Sequence, residues 1–391
     1  MKAFEEELAE RLREIGAAGL ARRLEAPAGI DFCSNDYLGL GRDPALKEAL
    51  VARLAALPPG AAALGAPASR LLAGHTAAHA ALEERLARFK GTEAALLFPS
   101  GYQANLGLLT ALLSPADRAL SDRQNHASLI DGLRLSGCAR TIVPHLDAAA
   151  FARELGRPHS GGRTFLVTES LFSMDGDVAP LDAYAELAER HGACLIVDDA
   201  HATGLFGAAR GSGLAERCGV ERRALAVVST LGKALGLAGA FVAGPRVVID
   251  YLVNRCRPFV FTTAPPPLLL HAVEAALDIL EAEPDRRLRV LLLAGRLRAG
   301  LRTMGVEGVE GAGEGPIVPV VLGDNERALS AAAELRRRGF DVRAVRPPTV
   351  PAGTARLRLS VHADHTEAQI DALVEAVAPI AAPLAVPGSR R

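Results

Sequence analysis

The 391-residue chain carries 44 Lys plus Arg against 45 Asp plus Glu, a formal net charge of −1, so no global field draws it onto nucleic acid or an anionic membrane. Hydrophobic residues at 49% and charged residues at 23% exclude a disordered chain, and at roughly 150 residues per domain the length predicts two or three domains. Aromatic residues make up 4% with no Trp, too few rings for a surface that stacks single-stranded nucleic acid. Residues 4–24 space apolar and charged positions at helical intervals, and their acidic start lacks the basic-then-apolar order of a signal peptide. The Ala-, Gly- and Pro-rich stretch 57–68 reads as a loop. A helix over 76–89 leads to a strand over 94–98, which ends at Ser100-Gly101-Tyr102, where another helix begins. Further apolar strands fall at 164–169, 193–198 and 224–229. Continuous apolar runs separated by helical segments predict an α/β fold whose mainly parallel sheet has helices on both faces. Beyond about residue 275 the pattern becomes helix 286–304, strand 317–322, helix 326–338, strands 341–346 and 356–361, and helix 366–377, a smaller α+β domain. The expected organisation is a helical segment 1–43, a large domain 44–275 and a small C-terminal domain 276–391. The five cysteines (Cys33, Cys138, Cys194, Cys218, Cys256) are scattered with no CxxC pair, which fits neither a zinc ribbon nor a disulfide framework and makes a reducing cytoplasm the expected setting. No apolar run reaches the roughly 18 residues of a membrane span.

In open parallel sheets, ligands bind at the carboxyl ends of the strands. Three predicted strand ends bring polar groups there: Ser173 beyond Glu169, Asp198 with His201, and Thr230 with Lys233. Desolvation disfavours the ammonium form of a lysine behind a buried strand. That suits an amine that must be neutral to form an imine with an aldehyde cofactor. Pyridoxal phosphate needs such a lysine, a carboxylate facing its ring nitrogen, and a phosphate cup. Asp198 meets the second need, and Ser100-Gly101-Tyr102 meets the third with backbone N–H groups at a helix N-terminus. Each residue alone has an ordinary alternative: a surface lysine, a helix N-cap, a turn glycine. Their order on successive β/α units is what makes the set specific.

Other features read as structural. His75 and His79 lie four apart but lack the Glu of an HExxH metal site, so packing or capping is expected rather than metal binding. Gly311-Ala312-Gly313-Glu314-Gly315 precedes a strand rather than a helix, unlike a dinucleotide loop, and Gly232-Lys233 lacks the flanking residues of a P-loop. Arg356 and Arg358 share one strand face by period two, and spacing does not decide which of them binds a carboxylate; the other is expected to face solvent or an ion pair. Glu169 and Asp175 are assigned no chemistry, and Arg22, beside Arg23, has a solvated charge as its alternative role.

The chain resembles the α-oxoamine synthases, pyridoxal-phosphate enzymes of fold type I with an aspartate-aminotransferase-like architecture. The matching stretches are Ser34–Leu40, Ser69–Gly74, Ser100–Asn105, Asn125–Leu129, Phe172–Asp177, Asp198–His201, Thr230–Ala234 and Pro351–Arg358. Within the family, Arg346–Pro351 and Phe261–Pro266 resemble the member that condenses L-alanine with a pimeloyl thioester, carried by coenzyme A or a carrier protein, in biotin biosynthesis. The resemblance implies pyridoxal 5'-phosphate held as a Schiff base to Lys233, which then acts as the base at Cα. It implies Asp198 at the pyridine nitrogen, His201 with Ser173 at the ring O3′, His126 stacked over the ring, and Gly101, Tyr102 and Thr230 at the phosphate. Arg358, with Asn35 nearby, would bind the alanine carboxylate. Arg22 and Thr349 would contact substrate, Arg22 at the far carboxylate of the acyl chain. Relatives are homodimers with shared sites, where Thr263 would reach the phosphate bound by a second copy. Two alternatives stand: a sister activity on glycine with acetyl- or succinyl-CoA or on serine with a long acyl chain, and a catalytically silent scaffold.

Overall fold

In the structure, a computed structural model that describes residues 1–58, 64–159, 161–307, 309 and 313–381, the apolar runs become one seven-stranded sheet. Its strands are β1 (Ala94–Phe98), β2 (Arg118–Asp122), β3 (Ala139–Val143), β4 (Thr164–Glu169), β5 (Cys194–Asp198), β6 (Ala226–Thr230) and β7 (Ala240–Gly244). They lie in the order β1-β7-β6-β5-β4-β2-β3. Only β7 runs against its neighbours; the other pairs are parallel. Helices cover the sheet, so both the edge strand β1 and its neighbour β7 are buried along their whole length and carry Ala, Leu, Val and Phe. Leu96, Phe98, Leu108, Leu109, Val228, Val242 and Phe259 share one core, where each fully buried large side chain contributes roughly 1.5–3 kcal/mol.

Strands β2, β3 and β7 are absent from the sequence reading for local reasons. β3 is an edge strand exposed over most of its length, and β2 ends in Ser121-Asp122, polar residues that are buried only because the surrounding chain hydrogen-bonds them. β7 follows directly on the Gly236–Gly239 turn region, so no long apolar run announces it.

Three helices bear on the site. α1 (Ala77–Lys90) opens with a capping box between Thr76 and His79 and closes at Gly91, whose φ of 74° only glycine adopts readily. α2 (Gly101–Leu112) starts three residues after β1, with Ser100 Oγ accepting from Gln103 N at 3.2 Å. α3 (Ala127–Ser136) takes His126 as its N-cap.

The chain divides into two compact units, one of Asn35–Ser173 and Asp177–Arg289, which holds this sheet, and one of Met1–Ser34, Met174–Gly176 and the residues from Val290 onward. In the second unit β8 (Ile317–Gly323) pairs antiparallel with β9 (Ala355–Ser360), and Phe32, Leu297, Val318, Val320, Leu335, Leu357 and Leu373 fill its core. The expected strand 341–346 is two short ones. Phe340–Asp341 pairs with Ile30–Asp31, and Ala344–Val345 pairs with β9, because the chain changes sheet across Val342-Arg343. The N-terminal helix covers Lys2–Ala17, not 4–24, since Gly19 at φ 66° ends it. Residues 59–63 of the expected loop and Gly311-Ala312 lie outside the described residues; Gly313–Gly315 run into strand β8. Among the described residues no helix is long and apolar enough to cross a membrane.

Candidate active site

β4, β5 and β6 are adjacent and parallel, so Glu169, Asp198 and Thr230 finish at the same edge of the sheet. Asp198 is 6% exposed. Its Oδ1 accepts from Ala200 N at 3.0 Å and its Oδ2 from Asn105 Nδ2 at 2.6 Å. Asn105, buried on α2, also donates to Ser128 Oγ at 2.9 Å, and that hydroxyl lies 2.8 Å from His126 Nδ1. A continuous chain of hydrogen bonds therefore joins Asp198 to His126. Because His126 Nδ1 accepts from Ser128 N at 3.2 Å, the neutral ring carries its proton on Nε2.

His126 keeps an exposed face, yet crowding around the ring is the main influence on it. That burial and the charge of Lys233 lower its pKa against the opposing pull of Asp198, so the imidazole is neutral at neutral pH. Lys233 is half-buried, three residues past the end of β6. Thr230 pins the turn that leads to it, its Oγ1 donating to Gly239 O at 3.1 Å and accepting from Gly232 N at 3.2 Å. Glu169 is buried, and desolvation first, then Asp198, hold its carboxyl well above the usual range, with Lys233 opposing. His126 and Glu169 thus each feel both Asp198 and Lys233, so the four groups share one electrostatic neighbourhood.

His201 is buried in the turn after β5, its Nδ1 2.8 Å from Tyr37 Oη, and that hydroxyl donates to Asn35 Oδ1 at 3.1 Å. Ser173 sits in the loop closed by the Leu171–Val178 bridge after β4. Gly101 begins α2 opposite Thr230: a Cβ built on the glycine would lie 4.0 Å from Thr230 Cβ, so the helix N-terminus and the threonine face each other at close range. Tyr102 is exposed and hydrogen-bonded to Asp131. Thr263 is exposed, on an antiparallel bridge to Ser69.

These residues fit a phosphorylated pyridine aldehyde. The α2 N-terminus offers N–H donors beside a hydroxyl, Asp198 is a braced carboxylate, and Lys233 supplies an amine. Asn105 Oδ1 and Glu169 Oε1, both bordering Asp198, are buried without a hydrogen-bond partner among the described residues, an arrangement that leaves polar capacity unused at this edge. Asn105, Ser128, Tyr37 and Glu169 escaped sequence reasoning as site neighbours. For Asn105 a signal existed, since four residues after Gly101 it falls on the same face of α2.

In the other unit Arg22 Nη2 donates to Thr349 Oγ1 at 3.4 Å, bringing the two expected substrate residues together. Arg22 lines a cavity of about 680 Å³ with Arg23, Arg336, Arg343, Arg346 and Glu25. Arg356 and Arg358 are both buried in β9. Arg356 forms an ion pair with Asp175, while Arg358 Nη1 donates to Ser360 Oγ at 2.8 Å. His79 is a capping residue whose Nε2 lies 2.9 Å from Pro265 O, and burial pushes its pKa down to about 4; His75 Nδ1 accepts from Arg70.

Residues 27–377 match the family described as aminotransferase class I and II. The chain is 48% identical over 394 residues to the 8-amino-7-oxononanoate synthase of Anaeromyxobacter dehalogenans, covering 97% of this chain and 96% of that protein. It is 42% identical over 394 residues to the enzyme of that name from Geobacter sulfurreducens, covering 97% and 99%. Among solved structures, a PLP-bound serine palmitoyltransferase from S. paucimobilis is similar with a TM-score of 0.86 at 30% identity, over 96% of each chain. An 8-amino-7-oxononanoate synthase from Francisella tularensis is similar with a TM-score of 0.73 at 28% identity, over 90% of this chain and 97% of that one.

Proposed function

The chain belongs to the aminotransferase class I and II family, and on that premise we propose that it carries out the reaction of the 8-amino-7-oxononanoate synthases, joining L-alanine to a pimeloyl thioester with loss of carbon dioxide. The observation that carries the reading is the shared neighbourhood of Lys233, Asp198 and His126, with Asp198 braced by Asn105. Pyridoxal phosphate held here would supply an electron sink for negative charge at the amino-acid Cα. Asp198 would accept from the N–H of the cofactor's ring and so favour the protonated ring. The Lys233 amine removes the proton from alanine Cα. His126 offers a neutral imidazole face, so it adds no charge against the ring. Gly101 and Tyr102 N–H groups with Thr230 Oγ1 would hold the phosphate, and His201 and Ser173 would hold O3′.

Arg358, with Asn35, takes the alanine carboxylate through its planar fork. Arg22 and Thr349 take the far carboxylate of the acyl chain, a role supported by the arginines around the Arg22 cavity, which suit an anionic end over a plain alkyl one. The working form is a homodimer in which Thr263 reaches the partner's phosphate. Supporting it, the N-terminal helix buries no residue and exposes Phe4, Leu8, Leu12 and Ile15 along one face, a stripe that a second copy would cover. The proposal places the protein in the cytoplasm, where its cysteines stay reduced.

The likeness to serine palmitoyltransferase keeps a sister reaction in view, since the same cofactor residues would serve serine and a long acyl chain. A panel of alanine, glycine and serine against acetyl-, succinyl-, pimeloyl- and palmitoyl-CoA, read by product mass, separates them. The expected winner is alanine with the pimeloyl donor; a clear preference for glycine with a short acyl donor, or serine with palmitoyl-CoA, would overturn the assignment.

A further inference from the structure

A second lysine is buried beside this site and takes no part in the chemistry above. Lys90 ends α1 and points its ammonium inward, and both it and its partner Asp199 have side chains 0% exposed. Two charges stripped of water are tolerated only in a close, fully hydrogen-bonded pair. Lys90 Nζ donates to Asp199 Oδ2 at 2.6 Å, to Thr203 Oγ1 at 3.1 Å, and to the carbonyl of Ser212, which uses all three of its protons. Asp199 Oδ1 accepts from Ser170 Oγ at 2.5 Å and from Leu214 N at 3.2 Å. The packing is tight enough that a Cβ on Gly213, at φ 137°, would fall 1.9 Å from Asp199 Oδ2.

The position of this cluster in the sheet gives it a function. Ser170 follows β4, Asp199 follows β5, and Ser229 of β6 lies 3.0 Å from Thr203 Oγ1. The residues next in sequence are Glu169, Asp198 and Thr230, the three groups at the strand ends of the site. The Asp199 carbonyl also accepts from Ala202 N at 3.1 Å and Thr203 N at 2.9 Å, closing the turn that carries His201. Consecutive residues of an extended chain point to opposite sides, so the cluster backs Asp198 rather than lining the cofactor site.

We infer that Lys90 is a positioning residue: it cancels the charge of Asp199 and clamps the ends of β4, β5 and β6, so that Asp198 and His201 stay in register with Lys233. The inference rests on the cofactor site proposed above, and its test separates the two. The proteins compared are the parent holoenzyme, Lys90→Met, Asp199→Asn and the neutral pair Lys90→Met/Asp199→Asn. Each is read by the visible circular dichroism of pyridoxal phosphate per bound cofactor, by kcat and KM for alanine, and by the urea midpoint.

Either single variant leaves one uncompensated buried charge. Its visible dichroism is expected to fall about twofold or more and its kcat about tenfold, with KM for alanine within about twofold, while the neutral pair recovers most of both. Comparing the neutral pair with whichever single variant accumulates decides the matter even where the other does not fold. Parent-like dichroism and kcat in a single variant with a lowered urea midpoint, or a neutral pair no better than the singles, would overturn the positioning role. A parent protein that binds no pyridoxal phosphate would instead sink the cofactor reading itself.

Discussion

Asn105→Ala tests the bracing of Asp198 without touching any group that contacts substrate. The asparagine is 2% exposed and gives Asp198 Oδ2 its 2.6 Å hydrogen bond, while the other carboxylate oxygen keeps Ala200 N. A hydrogen bond to a charged group contributes roughly 1.5–3 kcal/mol. Asp198 matters most when the ring nitrogen must stay protonated, so most of that energy is lost from the transition state. At about 1.4 kcal/mol per decade the expected drop in kcat is between about 10- and 100-fold. It is smaller than the loss from Asp198→Asn, because the carboxylate itself remains. Ser128 Oγ loses its donor too and keeps only its contact with His126 Nδ1, so the His126 ring becomes less fixed. The assay is steady-state turnover with saturating pimeloyl-CoA and varied alanine, alongside cofactor occupancy by absorbance and a thermal melt. A variant with full occupancy and kcat within about twofold of the parent would refute the idea that Asn105 holds Asp198 in its working position.

Two further outcomes follow from other parts of the molecule. Burial pulls the His145 ring down, but its 2.8 Å contacts with Asp122 and Asp177 win and push its pKa up to about 9. A group raised in the folded state stabilises fully below its unfolded pKa of about 6.5 and loses that contribution as pH rises through about 9. His145→Gln should therefore lower stability by at most about 3 kcal/mol at pH 6 and by little at pH 10, read from urea midpoints; an equal loss at both pH values would contradict the charge argument. Arg22→Met should raise KM for pimeloyl-CoA about tenfold or more and leave KM for alanine unchanged, and the same variant should barely alter the use of a monocarboxylic acyl donor of equal length. Equal loss on both donors would remove Arg22 from the far carboxylate.

Asp198, Thr230 and Lys233 were readable in the sequence because a parallel sheet turns strand ends that lie far apart in the chain into neighbours. The α2 N-terminus was readable for a similar reason, as the helix starts immediately behind β1. The partners of these residues were not readable. Asn105 and Asp198 are 93 residues apart, Tyr37 and His201 are 164 apart, and Arg356 and Asp175 are 181 apart. No local periodicity encodes such pairs; they exist only once the helices have packed. Arg356 also shows how a face is less than a role. Period two put it beside Arg358, and only the folded chain placed Asp175 against it. The Lys90–Asp199 pair was hidden because a lysine ending an amphipathic helix reads as solvated until the loop at Ser212–Leu214 closes over it.

The chain has four lysines, Lys2, Lys47, Lys90 and Lys233, which makes the covalent tether simple to locate. Lys2 and Lys47 are exposed and Lys90 is held by Asp199, leaving Lys233 as the half-buried amine at the strand ends. Borohydride reduction of the yellow holoenzyme followed by peptide mass mapping should put one phosphopyridoxyl group per chain on the peptide containing Lys233, and none on Lys233→Ala. Label on any other lysine, or a chain that stays colourless with added pyridoxal phosphate, would contradict the account at its centre.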